Sequence, residues 1–229
     1  MEDSSVRKWG GTASILLGIS YVLVGGAILL DPLRSATTVK EYWTTYVDRS
    51  TFRVTAQALL SLGAICGLAV VPGISSLVRK GNKGPVGWAC AVCYLGFAVT
   101  AISNIQEISI ETSYAERYAT GNELARSVIA ASPVLKLDLY GFYRYGALGT
   151  WLLVVNLIAR REGAWPKPLA YLGLVGSVLY WLIPIGNLLD FTKVTVSFVA
   201  LVGGLVVGPV WFIWMGRFVR GAAVQVEGP

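Results

Sequence analysis

Six long apolar stretches separate the charged residues of this chain, and they constrain its fold more than any other feature. Each has roughly 19 to 26 residues, and a helix needs about 20 to cross the hydrocarbon core of a bilayer. In that core only a helix or a closed barrel satisfies its own backbone hydrogen bonds, and runs this long and evenly apolar are helical. The sequence therefore predicts an all-α polytopic membrane protein, in which residues 1–229 form a single bundle of six transmembrane helices. The predicted spans are residues 12–30, 52–77, 86–105, 139–158, 169–189 and 194–218.

The charged residues between the spans are sorted by side of the membrane. The side with both termini carries ten basic and four acidic residues, whereas the other side carries eight basic and nine acidic ones. Short loops rich in Lys and Arg stay in the cytoplasm, so we predict that both termini lie inside the cell. The expected location is a cell membrane, with the bacterial inner membrane favoured. The expected partners are membrane lipids and other membrane subunits, and the sorted charge gives no reason to expect nucleic acid.

Polar side chains collect at the ends of the predicted spans on the side away from the termini. We call this set the polar belt: Arg53, Gln57, Asn104, Glu107, Asp138, Tyr140, Arg144, Asn187 and Asp190. Charge within a membrane is costly unless it is paired, and such residues usually face the bundle interior or a wet cavity. Two interpretations are open: a salt-bridged belt that fixes the register of the helices, or an outward-facing vestibule that binds a polar or amphipathic ligand. In both cases we expect Arg53 or Arg144 to pair with a carboxylate of the polar belt.

Two connections on the polar-belt side are long enough to hold a short helix of their own. They comprise residues 31–51 and 107–138. The second contains tyrosines and aliphatic residues among its charges, so we expect it to lie along the membrane surface. The connections on the opposite side are short and rich in Gly and Pro, which predicts antiparallel packing of the helices that they join.

Missing residues and motifs exclude several kinds of chemistry. The chain contains no histidine. A histidine-ligated haem, the ordinary zinc and non-haem iron sites, and Ser-His or Cys-His catalytic pairs are therefore excluded. The sequence has neither a Walker phosphate-binding loop nor a dinucleotide-binding glycine motif. We accordingly predict no cofactor for this chain.

Several short motifs resemble a bacterial six-helix membrane family known as domain of unknown function 4386. They are Phe52-Arg53, Asn104, Leu137-Asp138-Leu139 and the segment from Pro168 to Gly173. Members of that family often carry a histidine after the aspartate of the fourth helix, where this chain reads Tyr140-Gly141-Phe142-Tyr143-Arg144. A role that depends on this histidine would be absent here. The resemblance implies a fold and a topology, but no activity.

Three functions are compatible with these observations. The favoured hypothesis is a non-enzymatic accessory or scaffolding subunit of a membrane complex, because the chain lacks catalytic motifs. The second is a small transporter or lipophilic-ligand-binding protein that uses the polar belt. The third is an intramembrane enzyme acting on a lipid or isoprenoid, with Glu107, Asp138 or Asp190 as general acid. A cavity of several hundred Å³ at the polar belt would favour the second or third hypothesis over the first.

Overall fold

Nine α-helices account for most of residues 2–131 and 137–226, which are the part of the chain that the computed structural model describes. The side chains of residues 2, 3, 193 and 223–226 lie outside that description. The helices are α1 (Glu2–Leu30), α2 (Val39–Arg49), α3 (Thr51–Ser75), α4 (Lys83–Thr120), α5 (Glu123–Ala131), α6 (Ala147–Glu162), α7 (Lys167–Leu188), α8 (Lys193–Leu201) and α9 (Gly208–Val226). A 3₁₀-helix spans Pro32–Ser35, and two π-helices, Phe142–Gly146 and Val202–Val207, precede α6 and α9 directly.

Five helical segments of the described chain are long and apolar enough to cross a membrane. They are Ser4–Leu30, Thr51–Ser75, Lys83–Thr120, Lys167–Leu188 and Val194–Ala222. The predicted all-α class is thereby confirmed for the described residues, and five of the six predicted spans are helices with the length and composition that a span needs. The predicted fourth span, residues 139–158, differs: its α-helix is α6, which has 16 residues.

The fourth predicted span begins later than residue 139 for a backbone reason. Gly141 has a φ of +88°, a left-handed value that cannot continue into a right-handed helix. Helical structure therefore begins at Phe142, and its first five residues form the π-helix. The Asp138 carboxylate accepts hydrogen bonds from the backbone N–H groups of Gly141 at 3.1 Å and Arg144 at 2.7 Å, and so holds the turn in place.

Helix α4 is longer than predicted, because it continues without a break from Lys83 to Thr120. Hydropathy falls after Ile105, where charged residues become frequent, but helix-forming residues continue. The buried face of this extension carries Asn104, Glu107, Glu111 and Ala115, whose spacing keeps them on one side of the helix. Each of the two long connections contains a short helix, α2 and α5, as predicted, although Glu107–Thr120 belongs to α4 instead of to the second connection.

Consecutive glycines fix α1 between α3 and α9. A Cβ atom on Gly10 would lie 2.6 Å from the Cα atom of Gly73 in α3, and one on Gly11 would lie 2.9 Å from the carbonyl oxygen of Gly216 in α9. Successive residues of a helix point about 100° apart, so neighbouring glycines face two different helices. Ser14 adds a buried hydrogen bond of 2.7 Å to the carbonyl oxygen of Phe212. Small residues thus bring three backbones close together, as in other membrane helix bundles.

One cluster of buried apolar side chains draws on α1, α3, α4, α6, α7 and α9. Its largest fully buried members include Trp151 of α6 and Trp211 of α9, whose rings meet edge to face. A second, smaller cluster lies at the polar-belt end and joins α2, α4 and α5 around Trp43 and Tyr46. The larger cluster reaches from the half of the bundle nearer the termini to Leu148 and Tyr180, which also line the site described next.

Candidate functional site

A cavity of about 560 Å³ lies in the half of the bundle that carries the polar belt. Its wall is formed by α1, α3, α4, α6, α7, α8, the 3₁₀-helix and both π-helices. On α1 the lining residues run from Tyr21 to Leu29, a distance of about 12 Å at 1.5 Å per residue. The cavity is therefore elongated, and it reaches from the polar-belt end of the bundle towards its middle.

Five residues of the polar belt line this cavity together. They are Arg53, Gln57, Asn104, Glu107 and Arg144, which come from α3, α4 and the first π-helix. The other four lie elsewhere among the described residues: Asp138 caps the π-helix, Asn187 donates to the carbonyl oxygen of Tyr140 at 3.0 Å, and Asp190 is exposed in the α7–α8 turn with a φ of +54°. Their position supports the backbone around the site and does not extend the cavity wall.

Arg144 and Glu107 form a close ion pair in the cavity wall. The Arg144 Nη2 atom lies 2.8 Å from Glu107 Oε1, and both side chains are largely buried. The pairing of a belt arginine with a belt carboxylate is thereby confirmed. Arg144 is held by the π-helix, and π-helical turns occur frequently at functional sites.

Arg53 pairs with Glu111, one turn farther along α4, instead of with a residue of the polar belt. Glu111 accepts three hydrogen bonds: from Arg53 Nη2 at 3.4 Å, Gln57 Nε2 at 3.0 Å and the Tyr42 hydroxyl at 3.1 Å. Burial and the neighbouring Glu111 carboxylate raise the pKa of the Tyr42 phenol, which therefore stays protonated and donates. The signal for Glu111 in the sequence was its i+4 spacing from Glu107, which places both carboxylates on one face of α4.

Several buried polar atoms in the cavity wall have no hydrogen-bond partner among the described residues. They are the Nε atoms of Arg53 and Arg144, the Oε1 atom of Gln57 and the hydroxyl group of Tyr180. Gln57 is 4% exposed and Tyr180 is 2% exposed. A buried polar group without a partner costs roughly 1–3 kcal/mol, so each needs a water molecule or a bound ligand to satisfy it.

Sequence reasoning missed the aromatic part of the wall. Tyr21, Tyr145 and Tyr180 line the cavity on the side of the charged residues that faces the middle of the bundle. The rings of Tyr145 and Tyr180 stack with their centroids 6.3 Å apart. Their residue type carries no signal for a cavity, because tyrosine is ordinary in membrane helices. Within residues 2–131 and 137–226, no group of three His, Cys, Asp or Glu side chains is arranged to hold a metal ion.

Comparison with known proteins agrees with the resemblance inferred from the motifs. No curated protein and no solved structure is significantly similar to the chain. One family model, described as "Domain of unknown function (DUF4386)", matches residues 12–216. Since this match covers nearly the whole chain, the protein belongs to the DUF4386 family.

Proposed function

We propose that this chain is an integral membrane protein that binds an amphipathic ligand in the cavity at its polar belt. The single observation that carries the proposal is the cavity itself, which combines a volume of about 560 Å³ with buried polar atoms that have no partner in its wall. Ligand pockets usually have 300–1,000 Å³ and a mostly apolar wall with a few convergent polar groups. A lipid-binding protein or a small transporter would both use such a site.

The cavity favours this function over an accessory subunit. A belt that only fixed helix register would satisfy its polar atoms in closed pairs, since a buried unpartnered group destabilises the fold. Here Arg53 and Arg144 each use part of the guanidinium group for a carboxylate and leave a buried Nε atom without an acceptor. The enzyme hypothesis has less support, because Asp138 and Asp190 lie outside the cavity wall and Glu107 accepts a hydrogen bond from Arg144.

The proposed topology has six spans, with both termini in the cytoplasm of a bacterial cell. The π-helix and α6 together form a helical stretch of 21 residues, Phe142–Glu162, which reaches about 30 Å and matches the hydrocarbon core. Five spans would put the two termini on opposite sides, although Arg7 and Lys8 near one terminus and Arg217 and Arg220 near the other favour the same side. In this orientation the cavity faces outwards.

The experiment compares what co-purifies with three forms of the protein. The wild type, Gly204→Leu and Gly26→Leu are purified in mild detergent, and their lipid extracts are quantified by mass spectrometry. Gly204 lines the cavity, whereas Gly26 is exposed outside it, and a Cβ atom on either glycine would meet open space. A leucine at position 204 therefore occupies the cavity without a backbone clash, and a leucine at position 26 is its matched control.

We expect the wild type and Gly26→Leu to retain a stoichiometric amphipathic molecule that Gly204→Leu loses. Equal amounts in all three forms would show that the molecule binds elsewhere on the surface. A wild type that retains no such molecule, but co-purifies with a stoichiometric membrane protein, would support the accessory-subunit hypothesis instead.

A further inference from the structure

The cavity opens sideways between two helices. Four of its lining residues are also large exposed hydrophobic residues: Ile28 and Leu29 of α1, and Phe198 and Leu201 of α8. They are 39% to 66% exposed, whereas the lining residues Gln57 of α3 and Asn104 of α4 are buried. Since these four side chains belong both to the wall and to the apolar outer surface, the opening leads to the hydrocarbon region of the membrane.

The packing of α1 explains where this opening lies. Close contact between α1 and the last helix extends as far as Gly25, where a Cβ atom would lie 2.4 Å from the Leu205 side chain. α1 packs extensively against α3 but makes almost no contact with α8, the part of the last helical stretch that precedes the π-helix. The π-helix Val202–Val207 lies at the point of separation, and π-helical turns are places where helices change direction. We call this opening the α1–α8 portal.

The end of the cavity at the polar belt is suited to a negatively charged group. Three arginines line the cavity, Arg34, Arg53 and Arg144, against two carboxylates, Asp31 and Glu107. Glu111 and Glu107, the partners of Arg53 and Arg144, are four residues apart on α4, so they are separated by about 6 Å along the helix. The buried Nε atoms of Arg53 and Arg144 lack an acceptor among the described residues. Guanidinium groups match the oxygen atoms of carboxylates and phosphates, and hydrogen bonds between charged groups are the stronger kind.

We propose that the cavity takes up a single-tailed anionic amphiphile from the outer leaflet through the α1–α8 portal. Its phosphate or carboxylate head binds to Arg53 and Arg144, and its hydrocarbon tail lies towards the portal, beside Phe198. The volume of about 560 Å³ is that of a pocket for a small molecule, so the cavity favours a single-tailed ligand over a two-tailed phospholipid. This inference rests on the proposed function and adds the charge of the ligand and its route of entry.

The charge preference is tested with three probes that share a tail. The protein is placed in phosphatidylcholine nanodiscs, and binding above that of empty nanodiscs is measured for monododecyl phosphate, dodecanol and dodecyltrimethylammonium. We expect the phosphate to bind at least about tenfold more tightly than either other probe, because one charge-assisted hydrogen bond contributes a factor of this size. Inorganic phosphate should not compete, since it lacks the tail.

Variants of the protein then test where the charged head group of the probe binds. In Glu107→Gln/Arg144→Met both members of the ion pair are neutral, so no charge is left alone, and we expect monododecyl phosphate affinity to fall at least about tenfold. Gly204→Leu should abolish binding, and Gly26→Leu should bind like the wild type.

Two outcomes contradict the inference in distinguishable ways. If dodecyltrimethylammonium binds as tightly as the phosphate and Gly204→Leu abolishes both, the cavity binds amphiphiles without regard to charge, and only this inference fails. If no probe binds to the wild type, the proposed uptake of single-tailed amphiphiles is wrong, while the co-purification experiment still judges the proposed function on its own. The comparison of probes on the wild type needs no variant to fold.

The route of entry has its own pair of variants. Leu29 and Leu23 are both exposed leucines of α1, but only Leu29 lines the cavity. Leu29→Trp narrows the portal, so we expect it to slow the uptake of monododecyl phosphate severalfold in a stopped-flow measurement. Leu23→Trp should leave the rate unchanged. Equal rates in the two variants and the wild type would show that the ligand enters from the aqueous end of the bundle.

Discussion

Replacing Arg144 by methionine should destabilise the protein strongly, because it leaves Glu107 buried without its cation. The two side chains lie 2.8 Å apart with only 18% and 12% of their surface exposed, so water screens them little. Breaking a buried pair on one side costs about 3–5 kcal/mol, and most of that is the penalty of the remaining charge. We therefore expect Arg144→Met to lower the free energy of unfolding by about 3–5 kcal/mol, with Glu107→Gln/Arg144→Met recovering most of the loss.

The assay is reversible unfolding in mixed detergent micelles titrated with sodium dodecyl sulfate, followed by far-ultraviolet circular dichroism. Glu107→Gln alone completes a double-mutant cycle, which isolates the energy of the pair from the other effects of each substitution. Single-substitution losses below about 1 kcal/mol, or losses that simply add in the double variant, would refute the view that this pair is buried and coupled.

The ion pair between Arg53 and Glu111 is the comparison for this prediction. Its pairing distance to Glu111 is 3.4 Å and its side chain is 36% exposed, while Glu111 keeps Gln57 and Tyr42 as donors when Arg53 is removed. Arg53→Met should therefore cost less than Arg144→Met, about 1–3 kcal/mol, because Glu111 is buried but keeps two other donors. If Arg53→Met lowered the free energy of unfolding as much as Arg144→Met, the two arginines would stabilise the fold equally and this expectation would be wrong.

Two further predictions concern packing and topology. Gly10→Ala places a Cβ atom 2.6 Å from the Cα atom of Gly73, so it should cost about 1–3 kcal/mol of stability in the same titration, whereas Gly26→Ala, with open space around the new atom, should cost nothing. In a variant without its native cysteines, a membrane-impermeant maleimide should label Lys80→Cys only from the cytoplasmic side and Glu123→Cys only from outside. Labelling of both positions from one side would refute the six-span topology.

The helices themselves were predictable because hydropathy is a local property. A run of apolar residues has to be helical in a membrane whatever it packs against, so five spans follow directly from the sequence. The extension of α4 beyond Ile105 was missed because its residues become polar. Its evidence is periodic: Asn104, Glu107 and Glu111 recur on one face and are buried there. An average of hydropathy over a window hides such a pattern, whereas a search for polar residues at helical spacing detects it.

The polar belt was predictable as a set but not as a site. Its nine residues were grouped by their depth along the helices, which depends only on sequence position. Which of them meet depends on the rotation of each helix, and for Arg144 that rotation is set by the turn at Gly141 and the π-helix after it. Asp138 was one of the belt carboxylates that could have paired with an arginine, but it accepts the backbone N–H of Arg144 instead.

The cavity could not have been inferred from any single stretch of the chain, because it is the space left where two helices separate. Glycines hold α1 against α3 and α9, and Gly25 against the π-helix before α9, whereas α1 makes almost no contact with α8. The same small residues that make one half of the bundle compact therefore determine where the other half is open. The charged residues lie next to that opening, where water or a ligand head can satisfy them, so the position of the portal and the position of the arginines have one structural cause.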